Sequence, residues 1–351
     1  MSWPNKEQIR QGVLDMLHIN MGLKEGEKLL VVTDLLTPLQ WHSLAEGEII
    51  SALERTMLAR MVAEIARESY PQCQVELHLY PATGQSGAEP GEEVARKMTQ
   101  ADVVIAITTY SLSHTDARQR ASQAGARVAS MPGFEPQMFY PGGPMAVDYQ
   151  QVARDTEAIA ELLTAAQKAV IRSREGTELS FSLAGRTGGV DSGLYTTPGA
   201  WGNLPAGEAY IAPVEGTAVG RVVVPKGGSE DIPEDMTFIF EGGWVREIRG
   251  GGREGDRLRR LMQFDSDAEE HRLRRNLAEL GIGTNPNARS PFNVLEAEKI
   301  KGTVHIAVGD NAHMGGQIVC DLHEDFVLPQ PDLVLDGRLV IEAGRWVFKE
   351  G

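Results

Sequence analysis

Strand and helix alternate through the first half of this 351-residue chain, and that alternation restricts what it can fold into. Residues 29–34 open with a short, continuous apolar run, Leu29-Leu30-Val31-Val32, of the kind found in buried parallel strands. Leu53, Met57, Met61 and Ile65 recur every four positions and predict a helix over 51–69, stopped by Pro71. Further strands are predicted over 75–80 and 103–108, separated by a turn-rich stretch at 82–91 and a short helix at 92–100. Ser113 or Thr115 can N-cap a helix over 117–124, Gly125 suits the left-handed position after it, and a fourth strand begins at Arg127. Four alternations predict an open α/β sheet. The turn after the first strand is Asp34-Leu35-Leu36-Thr37-Pro38, with no glycine to admit a pyrophosphate, so a dinucleotide site is not expected there.

The texture then changes. Residues 151–174 have helical spacing and end in a polar, turn-rich stretch, which places a domain boundary at 172/173. Beyond it short strands with glycine turns are expected at 178–183 and 217–224. A hairpin is expected over 237–248 around Glu241-Gly242-Gly243-Trp244, and another around Asp336-Gly337. Ser266 and Glu269 form a capping-box pattern, and Leu273, Leu277 and Leu280 continue it, predicting a helix that Gly281 ends. The expectation is therefore an N-terminal open α/β domain (1–172) and a C-terminal strand-rich α+β domain (173–351). Glu279 would lie in the last turn of the 266–280 helix, where a carboxylate is disfavoured unless a cation compensates it.

Charge excludes some partners. With 34 basic against 49 acidic residues the formal net charge is −15, which argues against nucleic acid and against an anionic membrane surface. No apolar run approaches the roughly 20 residues of a membrane span. The two cysteines, Cys73 and Cys320, cannot build a disulfide framework, and no apolar signal region is visible, so a cytoplasmic setting is expected.

The densest chemistry lies between His305 and Asp325. This segment holds three of the eight histidines, His305, His313 and His323, together with Asp310, Asp321, Glu324 and Asp325. Imidazole and carboxylate together suit divalent metals of intermediate hardness. Read as strands, His305 shares a face with Ala307, while His323 and Asp325 point one way and Glu324 the other. Apolar residues flank His323 and Asp325 on both sides, so they are expected to be partly buried, where an unpaired charge is costly. Glu208, at the start of a strand after Leu204-Pro205-Ala206-Gly207, shares a face with Tyr210 and is either a solvated strand end or a further ligand.

Several segments in this order resemble the M29 metallo-aminopeptidase family, also called the aminopeptidase T/S or thermophilic metalloprotease family. They are SLSHTDARQRASQAGARVASMPG at 111–133, LPAGEAYIAPVEGTAVG at 204–220, AELGIGTNP at 278–286, HIAVGDN at 305–311 and LHEDFVL at 322–328. The resemblance implies a two-domain homodimer that hydrolyses peptides or another small substrate. It implies two divalent ions (Zn, Co or Mn) held by Glu208, Glu279, His305, His323 and Asp325, with Glu215 a candidate general base. Where that family places a tyrosine ligand this chain has Ala312, with His313 beside it, so either His313 substitutes as a ligand or the second metal site is weaker or absent. The chain resembles, more distantly, the 2,5-dihydroxypyridine dioxygenases, which hold one Fe(II) with two histidines and an aspartate. His323 and Asp325 match two of those ligands, and Glu279 stands in place of the remaining histidine. The favoured expectation is a metallo-aminopeptidase-type hydrolase, and the alternative is a mononuclear ring-cleaving dioxygenase.

Overall fold

The computed structural model describes residues 5–227 and 232–348. It is a mixed α/β fold whose chain separates into two compact units, Met1–Gln150 with Gly193–Ala206, and Gln151–Ser192 with Gly207–Gly351.

The first unit is built on a five-stranded parallel sheet in the order Gln74–Pro81, Lys28–Leu35, Val103–Thr108, Arg127–Pro132, Trp201–Asn203. Its central strands are apolar without alternation because helices cover both faces; every residue of Val103–Thr108 is buried. The helix Glu46–Ser69 buries Leu58, Val62 and Ile65 along one stripe. Thr115 caps the helix Asp116–Gln123 by accepting from the Arg118 backbone N–H, and Gly125 takes the left-handed conformation (φ 97°) that turns the chain into the next strand. The four expected strands are all present. The fifth, Trp201–Asn203, is only three residues long and arrives from much later in the chain, so no local pattern announces it.

The second unit contains two antiparallel sheets. The larger runs in the order Trp244–Gly250, Met236–Glu241, Val219–Val224, Glu178–Ser182, Lys168–Arg172, Asp332–Leu335, Arg338–Glu342, Arg345–Trp346. The smaller runs His323–Leu328, Val304–Gly309, Leu277–Gly283, Glu208–Ile211, Gly189–Asp191. Their apolar faces meet in one core, where Phe238 of the larger sheet packs at a tilt against Phe326 of the smaller, 4.8 Å between ring centroids. Asp336 and Gly337 both have positive φ (49° and 84°), the conformation a tight hairpin turn requires.

Two expectations differ from the structure. The helix expected over 151–174 is Tyr149–Ala165, and Lys168–Arg172 is a strand between Glu178–Ser182 and Asp332–Leu335. The compact units accordingly divide after residue 150, whereas the sequence placed the boundary at 172/173. The helix expected over 266–280 is only Glu269–Leu273, and Leu277–Gly283 is a strand with all seven residues buried. Leucines at 273, 277 and 280 fit a helical period, but pairing on both sides, with Val304–Gly309 and Glu208–Ile211, satisfies the backbone of a segment that no solvent reaches. Gly281 therefore lies inside a strand and ends nothing. Among the described residues no helix is long and apolar enough to cross a membrane.

One buried cation secures the first unit. Arg127 is 4% exposed; its Nη1 donates to the carbonyls of Met21 and Gly22, each at 2.8 Å, and its Nη2 to Glu27 at 2.5 Å. Arg127→Met should lower stability by about 3 kcal/mol by leaving these acceptors unpaired, read as a lower urea midpoint by circular dichroism.

Candidate metal centre

The register of the smaller sheet creates the site. Glu279, Gly281 and Gly283 alternate along the central strand and share one face. Gly281 lies opposite His305 on one side and Tyr210 on the other, and Gly283 lies opposite Glu208. One strand further out, Asp325 pairs with Ala307 and His323 with Gly309. Glu208, Glu279, His305, His323 and Asp325 therefore come from four adjacent strands onto one patch of sheet.

The glycines make this possible. A Cβ at Gly281 would overlap Nε2 and Cε1 of His305 and stand 2.8 Å from Glu208 Oε1. The imidazole and the carboxylate occupy the space that any larger residue would take. The alternation Glu279-x-Gly281-x-Gly283 was the sequence signal for this cradle, and assigning the stretch to a helix concealed it.

The donor atoms converge. His305 Nε2 is 2.7 Å from Glu208 Oε1 and 3.5 Å from Glu279 Oε1. His323 Nε2 is 3.1 Å from Glu279 Oε2 and 3.7 Å from Asp325 Oδ1. His305 is 1% exposed, yet neither of its ring nitrogens is aligned for a hydrogen bond; Asp325 Oδ1 is likewise buried without one. Close approach without hydrogen-bond alignment is the arrangement of ligand atoms that share an ion. Among the described residues three groups have donor atoms within 4.8 Å of one another inside each group: Glu208, Glu279 and His305; Glu279, His323 and Asp325; and Glu298, His305 and Asp325. Ligands at roughly 2.1 Å from an octahedral ion stand about 3 Å apart, so the spacing around Glu279 and His323 fits a divalent metal.

Electrostatics give the same answer. Burial works against ionisation of Glu279, but His305 and His323 outweigh it and hold its carboxyl well below the usual range. Burial likewise opposes a charged ring at His323, but Asp325 and Glu279 push its pKa up to about 10. Both directions have one cause, buried carboxylates that need positive charge nearby. The backbone carbonyl of Asp310 accepts from His323 Nδ1 at 2.7 Å, which turns Nε2 toward Glu279 and Asp325.

The other expected residues lie apart from these groups. Glu215 pairs with Arg186 and accepts from the Asn311 side chain (2.9 Å) and the Gln317 N–H (2.8 Å). Burial opposes its ionisation, but these partners hold its pKa below the usual range. It braces the loop around Asn311 and is not among the clustered donors. His313 Nδ1 is 2.8 Å from Asp310 Oδ1, and its ring packs edge-on to His323 at 5.2 Å, so it lies beside the donor groups and in none of them. Glu324 points to the opposite face, as expected, where it pairs with Arg257. The sequence reading missed Asp191, Glu298 and Lys299. Lys299 is 1% exposed, pairs with Glu208, and lies 2.9 Å from Glu298 Oε1 and 3.7 Å from Asp191 Oδ2.

Residues 19–348 match the model of a family described as NicX: 2,5-dihydroxypyridine 5,6-dioxygenase. Over 269 residues, 73% of each chain, the sequence is 25% identical to the 2,5-dihydroxypyridine 5,6-dioxygenase of Pseudomonas putida. Among solved structures it is similar to a 2,5-dihydroxypyridine dioxygenase from Pseudomonas putida KT2440, with a TM-score of 0.73, 20% identity and 98% of both chains covered. It is also similar to wild-type AmpT from Thermus thermophilus, with a TM-score of 0.64, 17% identity, and 97% of this chain and 99% of that one covered. These structural likenesses show the fold. The family match overturns the expected metallo-aminopeptidase-type hydrolase in favour of the dioxygenase alternative. The likeness to AmpT is one of fold and does not confirm the expected M29 membership. The error has a physical source: buried histidines and carboxylates hold a metal equally well for hydrolysis or for oxidation.

Gly281→Ala tests the cradle. The added methyl displaces His305 and should cost about 1–3 kcal/mol. Thermal unfolding should show the loss, and metal analysis of the purified variant should show less bound ion than in the parent.

Proposed function

We propose that this chain, which belongs to the NicX family described as 2,5-dihydroxypyridine 5,6-dioxygenase, opens the ring of a dihydroxylated pyridine with dioxygen at a single Fe(II). The observation that carries this reading is the group of buried Glu279 with half-buried His323 and Asp325, whose donor atoms lie within 4.8 Å of one another. Glu279, His323 and Asp325 would hold Fe(II), which would supply redox chemistry for dioxygen and an electron-rich hydroxylated ring.

The chain's own residues hold and orient. His323 presents Nε2 because the Asp310 carbonyl secures Nδ1. Asp325 reaches the same point from two residues further along the strand. Glu279 contributes a carboxylate where the dioxygenase resemblance places an imidazole, so the set becomes one imidazole with two carboxylates. His305, 3.5 Å from Glu279 Oε1, is a second imidazole close by.

The overall reaction balances without an external reductant. The ring bond between C5 and C6 breaks and each carbon takes one oxygen atom from dioxygen. C5, which already carries a hydroxyl, becomes a carboxyl, and C6 becomes a formyl group.

Anaerobic loading with Fe(II), followed by 2,5-dihydroxypyridine and air, tests the reading. Oxygen uptake should match substrate consumed, and both atoms of labelled dioxygen should appear in the ring-opened product. His323→Ala and Asp325→Ala should each lower the rate more than about 100-fold. Absence of oxygen uptake by iron-loaded parent protein would sink the proposal.

A further inference from the structure

We propose that Lys299 is a built-in cation that takes the place of a second metal ion and so keeps the centre mononuclear. The proposal deepens the single-ion reading above and rests on it.

Donor chemistry alone does not choose one ion over two. The group Glu208, Glu279 and His305 is as compact as Glu279, His323 and Asp325, and it is more deeply buried. His305 is aimed into it with both nitrogens outside any hydrogen bond. By geometry, two ions sharing Glu279 would fit.

Lys299 changes that balance. Its ammonium pairs with Glu208 through Oε2, the oxygen that does not face His305, and with Glu298 at 2.9 Å. Asp191 approaches at 3.7 Å. An ammonium has three N–H donors, and the carboxyl groups of Glu208, Glu298 and Asp191 surround this one. Glu208, the carboxylate that a second ion would need most, is therefore already neutralised.

The lysine is also fixed in place. Segment 298–300 presses against the central strand at Gly283, where a Cβ would overlap the carbonyl of Ile300 and stand 2.8 Å from that of Glu298. The Asn285 N–H donates to the Lys299 carbonyl at 2.9 Å. The backbone bond fixes where the side chain starts, and burial among three carboxyl groups holds the ammonium at Glu208. A second divalent ion at Glu208 and His305 would face that positive charge across a few ångströms of buried space, where like charges repel strongly. Gly283 thus admits the segment that delivers the lysine, just as Gly281 admits the imidazole.

Metal counting on folded protein tests this without any turnover measurement. The parent, loaded anaerobically with Fe(II) or with Mn(II) and then desalted, should carry one equivalent per chain. Lys299→Met should carry two, and its thermal midpoint should rise with added Mn(II) more steeply than the parent's. If Lys299→Met does not fold, Glu208→Gln answers the same question, since it should retain the parent's one equivalent. Two equivalents in the parent, one in folded Lys299→Met, or a loss of metal in Glu208→Gln would each overturn the proposal. Ring opening by a parent whose Lys299→Met variant still binds one ion would leave the dioxygenase reading standing and this inference refuted. The reverse pattern, a second ion gained in the variant but no oxygen uptake by the parent, would do the opposite.

Discussion

Buried negative charge is the constraint around which the second unit is arranged. Asp191, Glu208 and Glu279 lie within its interior, and Asp325 is partly enclosed beside them. Glu298 lies there too, but burial pushes its pKa up to about 8. A carboxylate that stays ionised in such a place needs positive charge close by. Lys299 meets part of the demand from within the chain, and His305 and His323 turn ring nitrogens toward the remainder. The antiparallel register brings these groups together, and two glycines on the central strand clear the volume they fill. Sheet geometry and metal chemistry are thus one problem here: a shift of the central strand by one residue would turn Glu279 to the opposite face and dissolve the cluster.

Much of this was legible from residues alone. The continuous apolar runs of the first unit identify parallel strands because a strand covered on both faces has no reason to alternate. His323 and Asp325 share a face, with Glu324 on the other, because strand period is two and the apolar residues after them set the strand. Glu279 was harder. Its leucine neighbours satisfy a helical period, and only pairing with strands some 25 and 70 residues distant in sequence shows that the segment is a strand. Lys299 was invisible for a different reason. A lysine among two glutamates reads as solvated surface, and only the fold places it against Glu208.

The mistaken enzyme class follows from the same physics. An ion held by histidine and carboxylate can activate water or engage dioxygen, and the residue types do not say which. A fold does not by itself name a reaction, so recognising the scaffold leaves the chemistry open. Residues beyond the clustered donors carry the missing information: a lysine's charge beside Glu208, a carbonyl that sets the orientation of the His323 ring, and the Glu215 carboxylate tied to an arginine.

The late strand Trp201–Asn203 has a consequence for synthesis. The chain leaves the first unit after residue 150, builds part of the second, and returns at 193–206 to complete the parallel sheet. On the ribosome the strand Arg127–Pro132 is therefore made long before its neighbour, and its backbone edge waits unpaired while dozens of residues are added. A fragment ending at residue 150 would retain that open edge permanently. The two units are accordingly not modules that can be exchanged by a single cut, and a nascent chain stalled between them presents a sheet edge for chaperones or for another chain to cover.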